Sequence, residues 1–282
     1  QKVVIDALKE LRASLRSAGG ELFVRAGEPV QVLHRLLDDS NVAGVYVTKE
    51  YQPGVRDRDR KLQASIEQSG KLWREFKGHV IFEGEEIVTA AGRSPFRVFS
   101  PYRNAWRARL HDIAPPLPRP KQMTTPEGEA GRIPALPSDG RSSGTDNCPV
   151  GGEREARKQT ERFLSQNVRA YHERRDFPGQ EGTSRLSHHL ATGTISIRTV
   201  YHAVKESCQS ARGVWKQGAD AFLNELIWRE FYYQILANYP HVATGSFKAE
   251  YDRLPWARND ERLDAWRCGC TGYPIVDAAM RQ

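Results

Sequence analysis

AFLNELIWREFYYQIL, Ala221–Leu236, is the stretch from which the architecture can be read. Phe222, Leu223, Leu226, Ile227, Phe231, Ile235 and Leu236 recur at spacings of three and four, which predicts a helix over Asp220–Asn238 with that stripe buried. Glu225, Trp228, Arg229 and Tyr232 fall at i, i+3, i+4 and i+7 on a second face, which carries a carboxylate, an indole, a guanidinium and a phenol. Two readings fit that face. In one, Arg229 and Glu225 form a surface ion pair beside two aromatics that complete the core. In the other, the face receives a flipped-out nucleobase: the indole is a stacking plate, the carboxylate a hydrogen-bond acceptor and the guanidinium a phosphate anchor.

The flanking segments are also helical. Glu153–Tyr171 reads as a charged amphipathic helix, Ser184–Leu190 as a short one that Gly193 ends, and Ser196 as the N-cap of a helix reaching about Glu206. Arg174, Arg175 and Asp176, followed by Phe177-Pro178, read as a solvated charged loop. In EGTSRLS, Glu181–Ser187, hydroxyls and free N–H groups before a helix suit a phosphate, and Arg185 adds charge; Thr183 and Ser184 serve equally well as helix caps. Beyond the long helix, Trp256 and Trp266 lie ten apart in PWARNDERLDAW, a spacing that by itself speaks for packing.

Residues 111–150 hold eight of the sixteen prolines, in APPLPRP, TTPEGEAG and around SDGRSSGTD, and so predict an interdomain linker. Before it, helical and extended patterns alternate. Val4, Leu8, Leu11 and Leu15 precede an extended Glu21–Arg25; Val30, Leu33 and Leu37 precede Gly44–Val47; a helix over Asp57–Gln68 precedes a strand-like Val80–Phe82. That alternation predicts an α/β domain with an open, parallel, doubly wound sheet, and its helix-first order leads us to expect that the first strand is missing. The expected divisions are 1–110, 111–150 and 151–282.

Composition narrows the classes. The 282 residues are 39% hydrophobic and 27% charged, and no run of about 18 apolar residues exists to form a membrane-spanning helix. A net charge of +7 favours a polyanionic partner, but residues 1–110 carry 19 Lys+Arg against 14 Asp+Glu and residues 151–282 carry 19 against 16, so any binding surface must be assembled by folding. Cys148, Cys208, Cys268 and Cys270 lack zinc-site spacing, and we see no secretory leader at Gln1. The expectation is reduced thiols, no metal and a cytoplasmic protein.

In order and spacing, Tyr171 with RRDFP (Arg174–Pro178), EGTSRLS, ATGTIS (Ala191–Ser196), ELIWREFYYQIL (Glu225–Leu236) and AWRCGCTGYPIVDAAMRQ (Ala265–Gln282) resemble the flavin-binding domain of the photolyase/cryptochrome family. FRVFSPYRNAW, Phe96–Trp106, resembles the end of that family's antenna domain, and WREFYYQIL is similar to the class I cyclobutane-dimer photolyases. The resemblance implies an α/β antenna domain followed by an all-α FAD-binding domain. It implies that Tyr171 contacts FAD, as does Phe222 where relatives have tryptophan, and that Thr183, Ser184, Arg185, Leu186 and Ser187 grip the flavin phosphates. It implies that Arg175 contacts DNA and that Glu225, Trp228, Arg229 and Tyr232 face the lesion, with Glu225 and Trp228 catalytic and Trp256 the solvent-side member of an electron-transfer chain. A second antenna chromophore of folate or deazaflavin type is a further implication.

The implied activity is blue-light repair of cyclobutane pyrimidine dimers by electron transfer from excited reduced FAD. The implied partner is damaged DNA, with the protein a nucleoid-associated monomer. The alternatives are a cryptochrome-like flavin photoreceptor without repair, or an inactive fragment. The family's opening WFRRDLR-like segment, and its later asparagine-rich segment with two inner tryptophans, have no counterpart here, so the chain is expected to be cut short at both ends.

Overall fold

Apolar residues at helical spacing, Pro29 at a first helical turn and Pro53 at another set the opening elements: α1 (Lys2–Ser17), α2 (Pro29–Asp38), β1 (Gly44–Thr48), α3 (Pro53–Gln68) and β2 (Leu72–Phe76). The computed structural model describes residues 1–38, 42–91, 94–136, 148–209 and 213–281; the linker stretch SDGRSSGTD, Ser138–Asp146, lies outside them. β1 and β2 pair in parallel, Gly44 opposite Leu72 and Thr48 opposite Phe76, with α3 as the crossover. Leu37, Leu62, Ile66 and Trp73 form the core of this β-α-β unit.

The expected α/β segment is present, with two differences in its strands. Glu21–Arg25 forms no strand, because its groups turn to the linker: the Val24 amide donates to the Ala130 carbonyl at 2.7 Å, and Arg25 reaches the Glu129 carbonyl at 2.8 Å. Arg12 of α1 braces the same crossing, donating to the carbonyls of Leu22, Ala130 and Gly131. Val80–Phe82 is not a strand either. The Ile81 and Phe82 amides donate to the Glu230 carboxylate at 2.6 and 2.9 Å, while Arg198 donates to the carbonyls of Val80 and Ile81 at 3.2 and 3.0 Å. Side chains thus take the bonds a neighbouring strand would have taken.

The remainder is helical: α4 (Phe99–Ala108), α5 (Glu153–Arg162), α6 (Tyr171–Arg174), α7 (Ser187–Thr192), α8 (Ile197–Gln209) and α9 (Val214–Asn238). The helix expected over Glu153–Tyr171 loosens into a π turn at Phe163–Asn167 and a 3-10 turn at Val168–Ala170 before α6. Gly218 of α9 faces that turn, and a Cβ there would overlap the Val168 carbonyl oxygen, so glycine permits the close crossing. Gly193, at φ 71°, ends α7, and the Ser196 hydroxyl accepts from the Arg198 amide at 3.2 Å at the start of α8, both as expected. The main core runs from Ile81 through Trp106 and Ile113 to Phe163, Tyr171, Val200, Ile227 and Phe231.

The chain divides into two compact units, Gln1–Pro240 and His241–Gln282. The second contains α10 (Asp260–Arg267), capped by Asn259, whose side chain accepts from the Arg262 amide at 2.8 Å, and α11 (Pro274–Arg281). Its turn at Thr271-Gly272 is held by Asp277, which accepts from both of those amides.

Candidate functional site

α9 carries most of the candidate residues, and its stripe is placed as predicted: Phe222, Leu223, Leu226, Ile227 and Phe231 are buried, with Ile235 packed against them. On the other face, Glu225 does not pair with Arg229. It accepts instead from Arg175, Nη1 to Oε1 at 2.5 Å, both side chains being a little over one-third exposed. Arg229 turns inward, where its guanidinium donates to the carbonyls of His79 and Leu190 and to the Tyr233 hydroxyl. Protein acceptors hold these donors.

Trp228 lies flat on Phe99 of α4, ring centroids 3.5 Å apart and planes 7° from parallel. Tyr232 stacks on Trp228 at 5.6 Å and is 62% exposed, so a ladder of rings climbs from the core to solvent. Phe99 lies within a quoted sequence motif but carried no signal of this role; its partner is more than a hundred residues away.

Tyr171, Phe163 and Phe222 form an aromatic trio behind this face, with Tyr171 edge-on to Phe163 at 5.6 Å and to Phe222 at 5.4 Å. Burial, with the Glu225 carboxylate nearby, pushes the Tyr171 phenol up to about 12, so it stays protonated. Leu186 is buried and anchors the hydroxyl-rich loop, whose Ser184 carbonyl accepts from Gln159 at 3.0 Å. Thr183, Arg185 and Ser187 point outward, and among the described residues no hydrogen bond or ion pair takes their side chains. Arg185 holds φ at 51°, the only positive value at a described non-glycine residue. Hydroxyls, a guanidinium and a strained backbone on an anchored loop are a donor set that fits a diphosphate. α7 begins at Ser187, so Thr183 and Ser184 are not its caps.

A residue that periodicity alone could have flagged is Glu230. It sits in the buried stripe, four residues after Leu226, and accepts from the Ile81 and Phe82 amides and, at 2.7 Å, from the Trp106 indole. Burial raises its carboxyl to about 7 against the pull of those three donors and Arg229. In the second unit, Trp256 is 77% and Trp266 47% exposed.

A parallel β-α-β unit followed by a helical body is the fold of the photolyase and cryptochrome structures that superpose on this chain. Residues 1–121 match the DNA photolyase family and residues 222–282 the FAD binding domain of DNA photolyase. The chain belongs to the DNA photolyase family. It is 34% identical to the deoxyribodipyrimidine photo-lyase of Halobacterium salinarum over 99% of its own length and 59% of that protein's, and 34% identical to that of Escherichia coli over 100% and 60%. The chain thus spans about three-fifths of the relatives it matches. Among solved structures, a class III photolyase from Agrobacterium tumefaciens superposes with a TM-score of 0.87 at 29% identity, covering 100% of this chain and 58% of that one. An archaeal photolyase from Sulfolobus tokodaii, solved with two FAD molecules, gives 0.74 at 26%, covering 99% and 58%.

Proposed function

We propose that this chain grips FAD and presents the Glu225–Trp228 face of α9 to a cyclobutane pyrimidine dimer flipped out of damaged DNA, as part of a light-driven repair enzyme. The observation that carries the reading is the pairing of Arg175 with Glu225 on the face that also bears Trp228. A phosphate-seeking cation, a base-edge acceptor and a stacking plate come together there.

When bound, reduced FAD supplies the photo-excited electron that splits the dimer and takes it back afterwards. The chain's own residues hold and orient. Thr183, Ser184 and Ser187 donate to the flavin phosphates, Arg185 offsets their charge, and Leu186 fixes the loop. Tyr171 and Phe222 supply apolar edges that exclude water. Arg175 takes a DNA phosphate, Glu225 accepts hydrogen bonds from the dimer, and Trp228 stacks against it, extended outward by Tyr232. Arg229, through His79 and Leu190, keeps the face rigid beside the DNA. Trp256, exposed in the second unit, is the residue this reading assigns to relaying an electron from an external reductant to the flavin. Binding to phosphates makes the affinity salt-dependent, and the weakened stacking of a lesion makes its extrusion cheaper. The same reading takes the protein to be a cytoplasmic, nucleoid-associated monomer with a folate or deazaflavin antenna, divided at 1–110, 111–150 and 151–282.

The test is to express the chain, titrate it with FAD, and assay blue-light repair of dimer-containing DNA. Stoichiometric flavin uptake with repair above the dark control is expected. Absence of flavin uptake overturns the proposal. Uptake without repair replaces it with a light-sensing role.

A further inference from the structure

The buried stripe of α9 does not end where its cover ends. Lys216, Ala219, Asp220 and Leu223 follow one another at i, i+3, i+4 and i+7, and at about 100° per residue they lie on the side of the helix opposite Glu225, Trp228 and Tyr232. α8 faces them with Tyr201, Val204, Lys205 and Cys208 at the same spacing, and Leu110 and His111 complete the lining. Between these faces is an open groove of about 450 Å³. That volume suits a small organic molecule.

The floor is the outer surface of the main core: Tyr201, Val204, Ala219 and Leu223 are all buried residues. The rim is cationic. The side chains of Lys205 and Lys216 take part in no hydrogen bond or ion pair among the described residues, while the lone carboxylate lining the groove, Asp220, already faces Arg107 at 3.5 Å. His111 lies beside Asp112 at 3.0 Å. The Tyr201 ring is only 4% exposed, and its hydroxyl has no hydrogen-bond partner among the described residues. An apolar slot with one unpartnered phenol and two uncommitted ammonium groups selects by shape and charge together.

We propose that the α8–α9 groove binds a small amphipathic organic anion: a flat apolar body of about two fused rings lying on Val204, Ala219 and Leu223, with a carboxylate, sulfonate or phosphate held by Lys205 and Lys216. The site is separate from the flavin and lesion faces and does not depend on them.

The probe is 2-naphthoate, titrated calorimetrically into the full chain, with alkylation of Cys208 followed by peptide mass. We expect one site with Kd on the order of 0.1–1 mM, the strength a ligand of this size reaches. Saturating naphthoate should slow Cys208 alkylation at least threefold. The double variant Lys205→Glu, Lys216→Glu should weaken binding tenfold or more and abolish the protection; both lysines are exposed, and unchanged circular dichroism will show that the fold is kept. The cationic analogue 2-naphthylmethylammonium should bind the wild type more weakly than the variant. Failure of naphthoate to bind at millimolar concentration, equal binding by the charge-reversed variant, or unprotected Cys208 each overturns the proposal.

Discussion

Arg175 and Glu225, fifty residues apart, are joined by a hydrogen-bonded ion pair that ties the loop after α6 to α9. Both partners are partly exposed, so the pair contributes little to stability, about 0.5–1 kcal/mol. On the proposed function its greater effect would be on DNA binding, where a phosphate has to compete with Glu225 for the arginine. Arg175→Ala is expected to leave the melting temperature nearly unchanged and to reduce the salt dependence of DNA binding by about one unit of slope. Binding isotherms at several salt concentrations check this, and an unchanged slope counts against phosphate contact by Arg175.

The Phe99–Trp228 stack should be visible energetically and optically. Phe99→Ala removes a partly buried ring in face-to-face contact, at an expected cost of about 2–3 kcal/mol. It should also free the indole to rotate. Denaturant titration measures the first effect and near-ultraviolet circular dichroism the second; a variant with both unchanged would show that the stack does no positioning.

Glu230 makes stability depend on pH. In the folded protein its carboxyl holds a proton up to about 7, whereas an unfolded glutamate loses it near 4.5. Its contribution is therefore complete below 4.5 and declines as pH rises through 7. Glu230→Gln does not titrate, so between pH 4.5 and 7.5 the unfolding free energy of the variant should rise relative to wild type by on the order of 3 kcal/mol. Paired denaturant titrations across that range test the sign. Glu230→Ala, which strands two amides and an indole N–H, should cost about 3–5 kcal/mol at low pH, and since alanine does not titrate either, the cost should shrink as pH rises through 7.

Arg185 holds a left-handed backbone that glycine adopts freely. Arg185→Gly should raise stability by about 1 kcal/mol and, on the proposed function, weaken FAD binding, since strain is relieved and the cation proposed to face the flavin phosphates is lost together. Thermal melts and flavin titration on one sample separate the two. A variant that loses stability and keeps its flavin affinity would contradict both halves of the argument.

Gly218→Ala places a methyl group against the Val168 carbonyl. The crossing of α9 over the 3-10 turn must then widen, at about 1–3 kcal/mol or more, and Tyr171, carried by the next helix, moves with it. Lower flavin affinity should accompany the lower stability.

How much of this was legible in the sequence follows from the range of the forces involved. The stripe of α9 was readable because Phe222 to Phe231 signal their common burial through spacing alone. The ends set by Gly193 and Ser196 were readable because caps are local. Val80–Phe82 looked like a strand by residue type, but its amides belong to a carboxylate 149 residues away, and a β-preference says only that the segment is extended and half-buried. Leu72–Phe76 went unread because Leu-Trp-Arg-Glu-Phe does not alternate, although it is the strand that completes the sheet. The partners of Glu225 and Trp228 were hidden for a similar reason. Helical spacing offered Arg229 to Glu225, and tertiary packing supplied Arg175 and Phe99 instead.

Arg229 and Glu230 are adjacent in sequence, and between them they claim the carbonyl of His79, the amides of Ile81 and Phe82 and the indole of Trp106. During synthesis on a ribosome, residues 79–106 emerge long before α9 exists. For the time taken to add the next 124 to 150 residues their polar groups have water as a partner, and the apolar side chains beside them, Ile81 and Phe82, lack their cover. The first half of the chain therefore waits on the second: translation speed through residues 107–230, rather than the intrinsic rate at which β1 and β2 pair, sets how long that surface is open to chaperones and to aggregation.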